Sequence, residues 1–235
     1  MDSVLIIVDQ KAPAEAMINL RKFGNVLGFS SSGIVYDAIS GHPDIFMFQH
    51  PSGLVVAPQI PTKTLEIIKK TGVRCTIGTK PLGSKYPHTS PYNALYTEYG
   101  VLHNHKVSDD CVKASHPEFL DCQQGYVRCN SIQVGQTIIT SDIGILKILT
   151  NLGISALIAD PTGIVLPGFK NGFFGGCCGI LGNTLFVCGS FKYYQSRSSI
   201  LNVLEKNNMK LIELYQGPLV DIGGIFFIPE ISVNQ

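Results

Sequence analysis

The stretch GFKNGFFGGCCGILGNTLFVCG, residues 168–189, is the segment from which the fold is best inferred. It joins a glycine-rich run, the pair Phe173-Phe174 and two adjacent cysteines to a Gly182-Asn183 turn and an apolar strand at residues 184–188. Glycine at this density indicates that the backbone adopts positive φ or passes very close to other groups. The stretch therefore predicts either a strained turn or the floor of a site.

Composition limits the class of protein. Hydrophobic residues make up 45% of the 235 residues and charged residues only 15%, whereas soluble domains average about 25% charged residues. The net charge is +1 and the basic residues are scattered, so we expect no nucleic-acid partner. No segment approaches the roughly 18 apolar residues of a membrane span, and residues 4–8 read as a buried strand rather than a signal peptide.

The cysteines point to a reducing compartment. There are seven, an odd number, and none forms a CxxC pair. This pattern predicts neither a disulfide framework nor a zinc site. No nucleotide-binding or serine-hydrolase motif is present, so we expect no cofactor and no metal. We predict a cytoplasmic protein and leave its oligomeric state open.

One unit recurs along the chain, and each copy takes somewhat under about fifty residues. Its plainest copy has hairpin strands at residues 45–48 and 54–57, a helix beginning at Thr62 or Thr64, and a strand at residues 74–77. A third unit opens with a hairpin around Tyr99-Gly100 and continues with a strand at residues 126–134, a return strand at 137–140 and a helix capped by Ser141. No linker separates the units, so we predict a single domain over residues 1–235.

Five short β/α units in a chain of this length resemble the pentein fold, a five-bladed α/β propeller with pseudo-fivefold repeats. The segments that carry the resemblance are NSIQVGQTIITSDIGI (130–145), GGCCGILGNTLFVCG (175–189) and PDIFMFQHPSGLVVAP (43–58). Two groups share that fold: guanidine-modifying enzymes, such as deiminases and amidinotransferases, and translation initiation factor 6. In the enzymes a cysteine attacks the guanidinium carbon, a histidine moves protons and acids hold the cationic substrate.

The resemblance also shows where this chain departs from those enzymes. In the expected places of the enzymes' acids, histidine and cysteine stand Gln49, Cys129-Asn130, Phe173-Phe174 and the cysteine-free GGIFFI at 223–228. The resemblance thus implies a pentein without the usual catalytic set, binding a small molecule or partner in its central channel. A divergent cysteine hydrolase or deiminase of guanidino or amide compounds is one alternative, and a ribosome- or protein-binding factor is another.

The candidate catalytic residues are three thiols and one imidazole. Cys129, Cys177 or Cys178 would be the nucleophile of the hydrolase alternative, with His42 as the acid/base. Cys177 and Cys178 are equally explained as small packing residues in a crowded turn. His42 and Asp44, spaced i and i+2 ahead of a strand, either share a proton or only turn the chain.

The candidate ligand-binding residues are mostly polar. If residues 126–134 form a strand, Arg128 and Asn130 share one face, and Arg128 could hold a carboxylate or phosphate in the channel. Asp142 and Asp221 each open an Asp-Ile-Gly tripeptide, which suits either a structural cap or a cation site. The full set predicted to bind a ligand is Asp44, Gln49, Arg128, Asn130, Asp142, Phe173 and Asp221.

Overall fold

The structure of the protein is a computed structural model that describes residues 3–231. In that range fifteen strands form five sheets of three strands each. The strands are β1 (Val4–Asp9), β2 (Asn25–Phe29), β3 (Met47–His50), β4 (Gly53–Val56), β5 (Cys75–Ile77), β6 (Leu95–Thr97), β7 (Gly100–His103), β8 (Phe119–Asp121), β9 (Ser131–Val134), β10 (Thr137–Thr140), β11 (Ala156–Ile158), β12 (Cys178–Leu181), β13 (Thr184–Val187), β14 (Lys210–Glu213) and β15 (Phe226–Pro229).

Short helices connect the strands. The α-helices are α1 (Ala14–Leu20), α2 (Pro43–Phe46), α3 (Thr62–Lys70), α4 (Asp110–Lys113), α5 (Val127–Asn130), α6 (Ile143–Asn151) and α7 (Arg197–Lys206). Single 3₁₀ turns lie at Asp37–Ile39, Gly175–Cys177 and Phe191–Tyr193. Among the described residues, no helix is long and apolar enough to cross a membrane.

All five sheets have the same construction. The first two strands form an antiparallel pair, and the third joins the second in parallel after a helical connection. In four sheets the antiparallel pair is a hairpin of consecutive strands, as in β3 and β4, where Met47 pairs with Val56. In the remaining sheet β15 pairs with β1, with Val4 opposite Pro229. One sheet is thereby completed by strands from opposite ends of the chain.

Most predicted elements are present with shifted boundaries. Return strand 137–140 is confirmed, and the hairpin of residues 178–187 turns at Gly182-Asn183 as predicted. The hairpin predicted at residues 45–57 begins two residues later, because Pro43–Phe46 form a helical turn. The third predicted unit contains two sheets rather than one, β6-β7-β8 and β9-β10-β11.

Two local predictions are wrong. The cap of α6 is Asp142 rather than Ser141, since the Asp142 Oδ1 accepts a hydrogen bond from the backbone N–H of Ile145 at 2.8 Å. Residues 127–130 form helix α5 instead of the start of a strand. The reason is tertiary: the backbone N–H groups of Val127 and Arg128 both donate to the carbonyl of Asn93, at 3.0 and 2.9 Å. Arg128 and Asn130 therefore do not share one face of a strand.

Candidate functional site

A cavity of about 210 Å³ lies where several of these connections meet. It is lined by α2 and the residues before it, by α5, by the loop between β11 and β12, and by the segment before β15. We call it the acidic cavity. Its lining residues are Tyr36, Ile39, His42, Asp44, Ile45, Tyr126, Cys129, Leu166, Phe169, Asn171, Phe173 and Asp221.

Asp44 is the most unusual group in this cavity. It lies in α2 and is 0% exposed, and neither carboxylate oxygen has a hydrogen-bond partner among the described residues. Its backbone is firmly held, because Asp44 N donates to Gly223 O at 3.2 Å and Asn93 Nδ2 donates to Asp44 O at 3.1 Å. Burial raises the pKa of the Asp44 carboxyl from 3.8 to about 6. Since buried polar groups are almost always hydrogen-bonded, this side chain suits a ligand donor.

His42 lies between two further carboxylates. Its Nδ1 is 3.8 Å from Asp221 Oδ1 and its Nε2 is 3.9 Å from Asp9 Oδ2. All three residues are buried. Burial also raises the pKa of Asp9, although the backbone N–H of Lys11 donates to its Oδ1 at 2.7 Å. The imidazole thus lies between two carboxylates, one facing each ring nitrogen.

Backbone N–H groups fix the carboxylate of Asp221. Phe173 N donates to Oδ2 at 2.9 Å and Gly223 N donates to Oδ1 at 3.1 Å. Gly176 belongs to the glycine-rich stretch, and a Cβ there would collide with the Asp221 carboxylate. Gly223 has a φ of +67°, and a Cβ there would collide with His42. The glycines at these two positions allow the backbone to approach the acid and the imidazole closely.

Cys129 contributes a thiol to the same cavity. The side chain is 6% exposed, and its Sγ donates weakly to Tyr126 O at 3.6 Å. Burial, together with the nearby Asp44 and Asp221, raises the pKa of the thiol well above its usual value. The buried side chain of Asn93 positions this thiol relative to Asp44, because its Oδ1 accepts from Cys129 N at 3.2 Å while its Nδ2 holds α2.

Aromatic rings form much of the remaining wall. Tyr36 and Phe169 meet with ring centroids 5.8 Å apart, and the Tyr36 and Tyr126 hydroxyls are 3.4 Å apart. The Tyr126 hydroxyl also hydrogen-bonds to Thr89. Phe173 faces this cavity. Its neighbour Phe174 is buried in the core, where it stacks on Tyr194 at 5.7 Å.

Cys177 and Cys178 lie outside the acidic cavity. Both are 0% exposed and pack in the apolar core around β12 and β13. Burial raises the pKa of each thiol. Their burial in the core fits the interpretation of both as small packing residues.

Gln49 and Arg128 line a second cavity, of about 670 Å³. Arg128 Nη1 donates to Gly175 O at 2.7 Å and Nη2 donates to Cys178 O at 2.9 Å, while the guanidinium lies 5.6 Å from the ring centroid of Phe226. Gln49 Nε2 donates to Phe227 O at 2.7 Å. Both side chains thus bind neighbouring backbone and are separated from the acidic cavity.

Asn130 and Asp142 are also absent from the acidic cavity. Asn130 is buried and donates from Nδ2 to Tyr126 O at 2.6 Å. Asp142 caps α6 and accepts from Gln124 Nε2 at 3.0 Å, which accounts for its Asp-Ile-Gly tripeptide without a ligand. Asp221, in the other Asp-Ile-Gly, does line the cavity.

The cavity brings together five of the predicted site residues, His42, Asp44, Cys129, Phe173 and Asp221. Sequence reasoning did not find Asp9, Asn93 or three aromatic residues of the wall, Tyr36, Tyr126 and Phe169. Asp9 gave a usable signal, because it is an acid that directly follows the apolar run of residues 4–8 and ends strand β1. Among the described residues, no group of three or more His, Cys, Asp or Glu side chains is arranged to hold a metal ion.

Comparison with sequence-family models shows to which family the chain belongs. The model of a family of unknown function, DUF6873, matches residues 7–226. The chain belongs to this family. No curated protein matches it in sequence.

Solved structures identify the fold. The chain is similar to SxtG, an amidinotransferase of the saxitoxin biosynthetic pathway from Microseira wollei, with a TM-score of 0.54, 10% identity and coverage of 100% of this chain and 96% of that one. It is similar to C. jejuni agmatine deiminase, with a TM-score of 0.51, 11% identity and coverage of 91% and 86%. A mutant of DDAH from Pseudomonas aeruginosa complexed with citrulline gives a TM-score of 0.50, 6% identity and coverage of 91% and 92%. The predicted five-bladed pentein fold is therefore confirmed.

Proposed function

We propose that the acidic cavity binds a small organic cation of the amidinium or guanidinium class. The observation that carries this proposal is the Asp44 carboxylate, which is 0% exposed and has no partner on either oxygen among the described residues. Amidinium and guanidinium groups present parallel N–H donors that match both oxygens of a carboxylate. Such a ligand would supply the hydrogen bonds that the surrounding chain does not.

Charge in the cavity favours the same class of ligand. Asp221 is a second lining carboxylate, with its oxygens held in place by backbone N–H groups. A cation also interacts favourably with the faces of the aromatic wall. The pentein fold supports the choice of class, since its solved relatives include an amidinotransferase and an agmatine deiminase.

Binding should depend on pH in a definite direction. The pKa of Asp44 is raised to about 6, so the carboxylate is ionised above that pH and protonated below it. A cation prefers the ionised form and lowers its pKa on binding. We therefore expect affinity for a cation to increase as the pH rises through about 6.

Thermal unfolding with methylguanidine, butylguanidine and neutral methylurea tests the proposal. A ligand at about 100 times its Kd contributes about 2.7 kcal/mol, which corresponds to a Tm increase of roughly 5–10 °C for a chain of this size. We expect this increase with the guanidinium compounds at pH 8, and none with methylurea.

The matched variants are Asp44→Asn and Asp142→Asn. Asp44→Asn should abolish the guanidinium response, whereas Asp142→Asn keeps a helix cap outside the cavity and should respond like the wild type. Equal responses to methylurea and methylguanidine, or a full response from Asp44→Asn, would contradict the proposal.

A second candidate function is hydrolysis of the bound cation, favoured by the presence of the Cys129 thiol in the same cavity as Asp44 and His42. The Cys129 thiol would give its proton to His42, and the resulting thiolate would attack the amidinium carbon and form a C–S bond. The C–N bond to the leaving amine would break as protonated His42 gives that amine a proton, and water would then release the product from sulfur. Because burial and the two acids raise the pKa of this thiol, a bound cation would favour formation of the thiolate.

Release of ammonia or amine from the guanidinium probe separates binding from catalysis. Wild type should release it and Cys129→Ser should not, while both show the same ligand-induced Tm increase. Binding without release in the wild type would reject hydrolysis of that probe and leave the binding function intact.

A further inference from the structure

The charged side chains that line the acidic cavity are mainly negative. Its ionisable carboxylates are Asp44 and Asp221, and neither lysine nor arginine is among its described lining residues. His42 is the one imidazole of that lining, and it is already placed between Asp9 and Asp221. An anionic group of a ligand would therefore meet carboxylates without a cationic partner of its own.

Arg128, whose charge acts on Asp44, does not supply the missing cationic partner. The terminal nitrogens of Arg128 donate hydrogen bonds to the carbonyls of Gly175 and Cys178, and its guanidinium packs over Phe226. It lines the second cavity rather than the acidic one. Its charge helps to offset Asp44 at a distance, but its donors are not presented to a ligand beside Asp44.

Most neutral hydrogen-bond donors of the cavity already have partners within the protein. The Tyr126 hydroxyl bonds to Thr89 and lies beside that of Tyr36. Asn171 Nδ2 donates to Gly172 O at 3.1 Å. A carboxylate entering the cavity would thus lose its hydration with few donors to replace it.

The rest of the lining is apolar. The two loops that meet at the Tyr36–Phe169 contact bring both rings, with Leu166 and Ile39, to the same cavity. Phe169 is 51% exposed, which places this apolar contact at the surface, whereas Asp44 is 0% exposed. The volume, about 210 Å³, is below the roughly 300–1,000 Å³ typical of drug-sized ligands.

We propose that the acidic cavity selects a small amidinium or guanidinium cation with an uncharged alkyl or aryl substituent, and rejects amino acids and other ligands that carry a carboxylate. This inference rests on the proposed function and adds the chemistry of the other end of the ligand. The cationic end pairs with Asp44, and the apolar substituent packs between Tyr36 and Phe169. A carboxylated analogue keeps the first contact and is disfavoured by repulsion and desolvation.

Matched pairs of probes test the selection by calorimetry. The pairs are benzamidine with para-amidinobenzoate, and butylguanidine with guanidinobutanoate. A like-charge contact in a buried site costs several kcal/mol, so each carboxylated member should bind about a hundredfold more weakly than its partner. Phe169→Ala should weaken benzamidine by about three- to tenfold and methylguanidine by less, because methylguanidine lacks the apolar substituent. Tyr193→Ala, another exposed aromatic outside the cavity, should alter neither.

A variant that adds a positive charge gives the converse test. Phe169→Arg places a cation at the mouth and should restore binding of guanidinobutanoate to within about tenfold of butylguanidine. If both members of a pair bind equally in the wild type, or the carboxylated member binds more tightly, the selection is wrong while the cation site stands. If no cation binds, including methylguanidine, the proposed function itself fails.

Discussion

Two buried aspartates of this protein, Asp44 and Asp109, have opposite surroundings. Both are 0% exposed. Asp109 Oδ2 accepts from the backbone N–H groups of Thr79 and Lys80 at 2.7 and 2.6 Å and from the Tyr92 hydroxyl at 3.1 Å, and its Oδ1 accepts from Cys111 N at 2.8 Å. The two carboxylate oxygens of Asp44 accept no hydrogen bond from the described residues.

The difference separates a structural carboxylate from a ligand-binding one. Burial alone would raise the pKa of Asp109, but hydrogen bonds from Lys80, Cys111 and Thr79 outweigh it and lower that pKa below 3.8. Burial raises the pKa of Asp44 to about 6. The Asp109 carboxylate stabilises the fold by joining two loops to helix α4. The Asp44 carboxylate destabilises the fold unless a ligand donates hydrogen bonds to it.

The largest expected effect is the loss of stability in Asp109→Asn. An asparagine offers one acceptor oxygen where the loops supply several donors, and its amide group faces those N–H groups. Leaving buried donors unpaired around a lost charge should cost about 3–5 kcal/mol in the free energy of unfolding, measured with urea at pH 7. Asp110→Asn is the neighbouring control, because Asp110 is exposed and should leave the urea midpoint unchanged.

The effect of Asp109→Asn should fade in acid. A carboxyl with a lowered folded pKa stabilises the native state above its unfolded pKa and loses that contribution as pH falls through the folded value. The difference between wild type and Asp109→Asn should thus shrink below pH 3.8, the reference value. A difference that is constant with pH would mean that shape, rather than charge, explains the role of Asp109.

The opposite sign is expected for Asp44→Asn. A carboxyl whose folded pKa is raised from 3.8 to about 6 destabilises the native state above pH 6 and has no such effect below its unfolded pKa. Each pKa unit corresponds to about 1.4 kcal/mol, so removing the charge should stabilise the unliganded protein by about 1–3 kcal/mol at pH 7. Urea unfolding should show most of the gain at pH 7 and little of it at pH 4.

A loss of stability in Asp44→Asn at pH 7 would overturn the contrast between the two aspartates. It would show that the native protein already satisfies the Asp44 carboxylate, as it does that of Asp109. The cation site would then lose the observation on which it rests.

Much of the fold was accessible from sequence because its signals are local. The Gly182-Asn183 turn and the apolar run after it predict the β12–β13 hairpin, and the Thr137–Thr140 strand follows from its own pattern. Helix α5 was missed because its shape depends on Asn93, which is 34 residues or more away. Contacts of that kind have no signature in a short window.

The site was only partly accessible for the same reason. The GHPD motif marked His42 and Asp44, and the repeated Asp-Ile-Gly marked Asp221. Asp9 belongs to the first strand, and its proximity to His42 follows from the assembly of the sheets. The identical Asp-Ile-Gly at Asp142 became a helix cap, so tripeptide sequence alone does not decide which acid reaches the cavity.

Thiol labelling sharpens the description of Asp44 as an uncompensated charge. Burial, together with Asp44 and Asp221, raises the pKa of Cys129, so iodoacetamide should label it slowly in the wild type. Removing one nearby negative charge in Asp44→Asn should increase the rate roughly tenfold at pH 8. Cys177, which is 0% exposed in the core, is the internal control and should remain slow in both proteins. A rate for Cys129 that is unaffected by Asp44→Asn would mean that burial alone controls this thiol.

The smallest effect concerns Asp142, which is intermediate between the two buried aspartates. It accepts two hydrogen bonds, from Ile145 N at 2.8 Å and from Gln124 Nε2 at 3.0 Å. Asp142→Ala should therefore cost about 1 kcal/mol by urea unfolding, the usual value of a helix cap, and Asp142→Asn should recover most of it. Neither variant should change guanidinium binding, because this acid lies outside the cavity. If the number of hydrogen-bond donors sets the stability change of each substitution, Asp109 stabilises the fold most, Asp142 less and Asp44 least. Any other order would show that burial rather than hydrogen bonding determines their contributions.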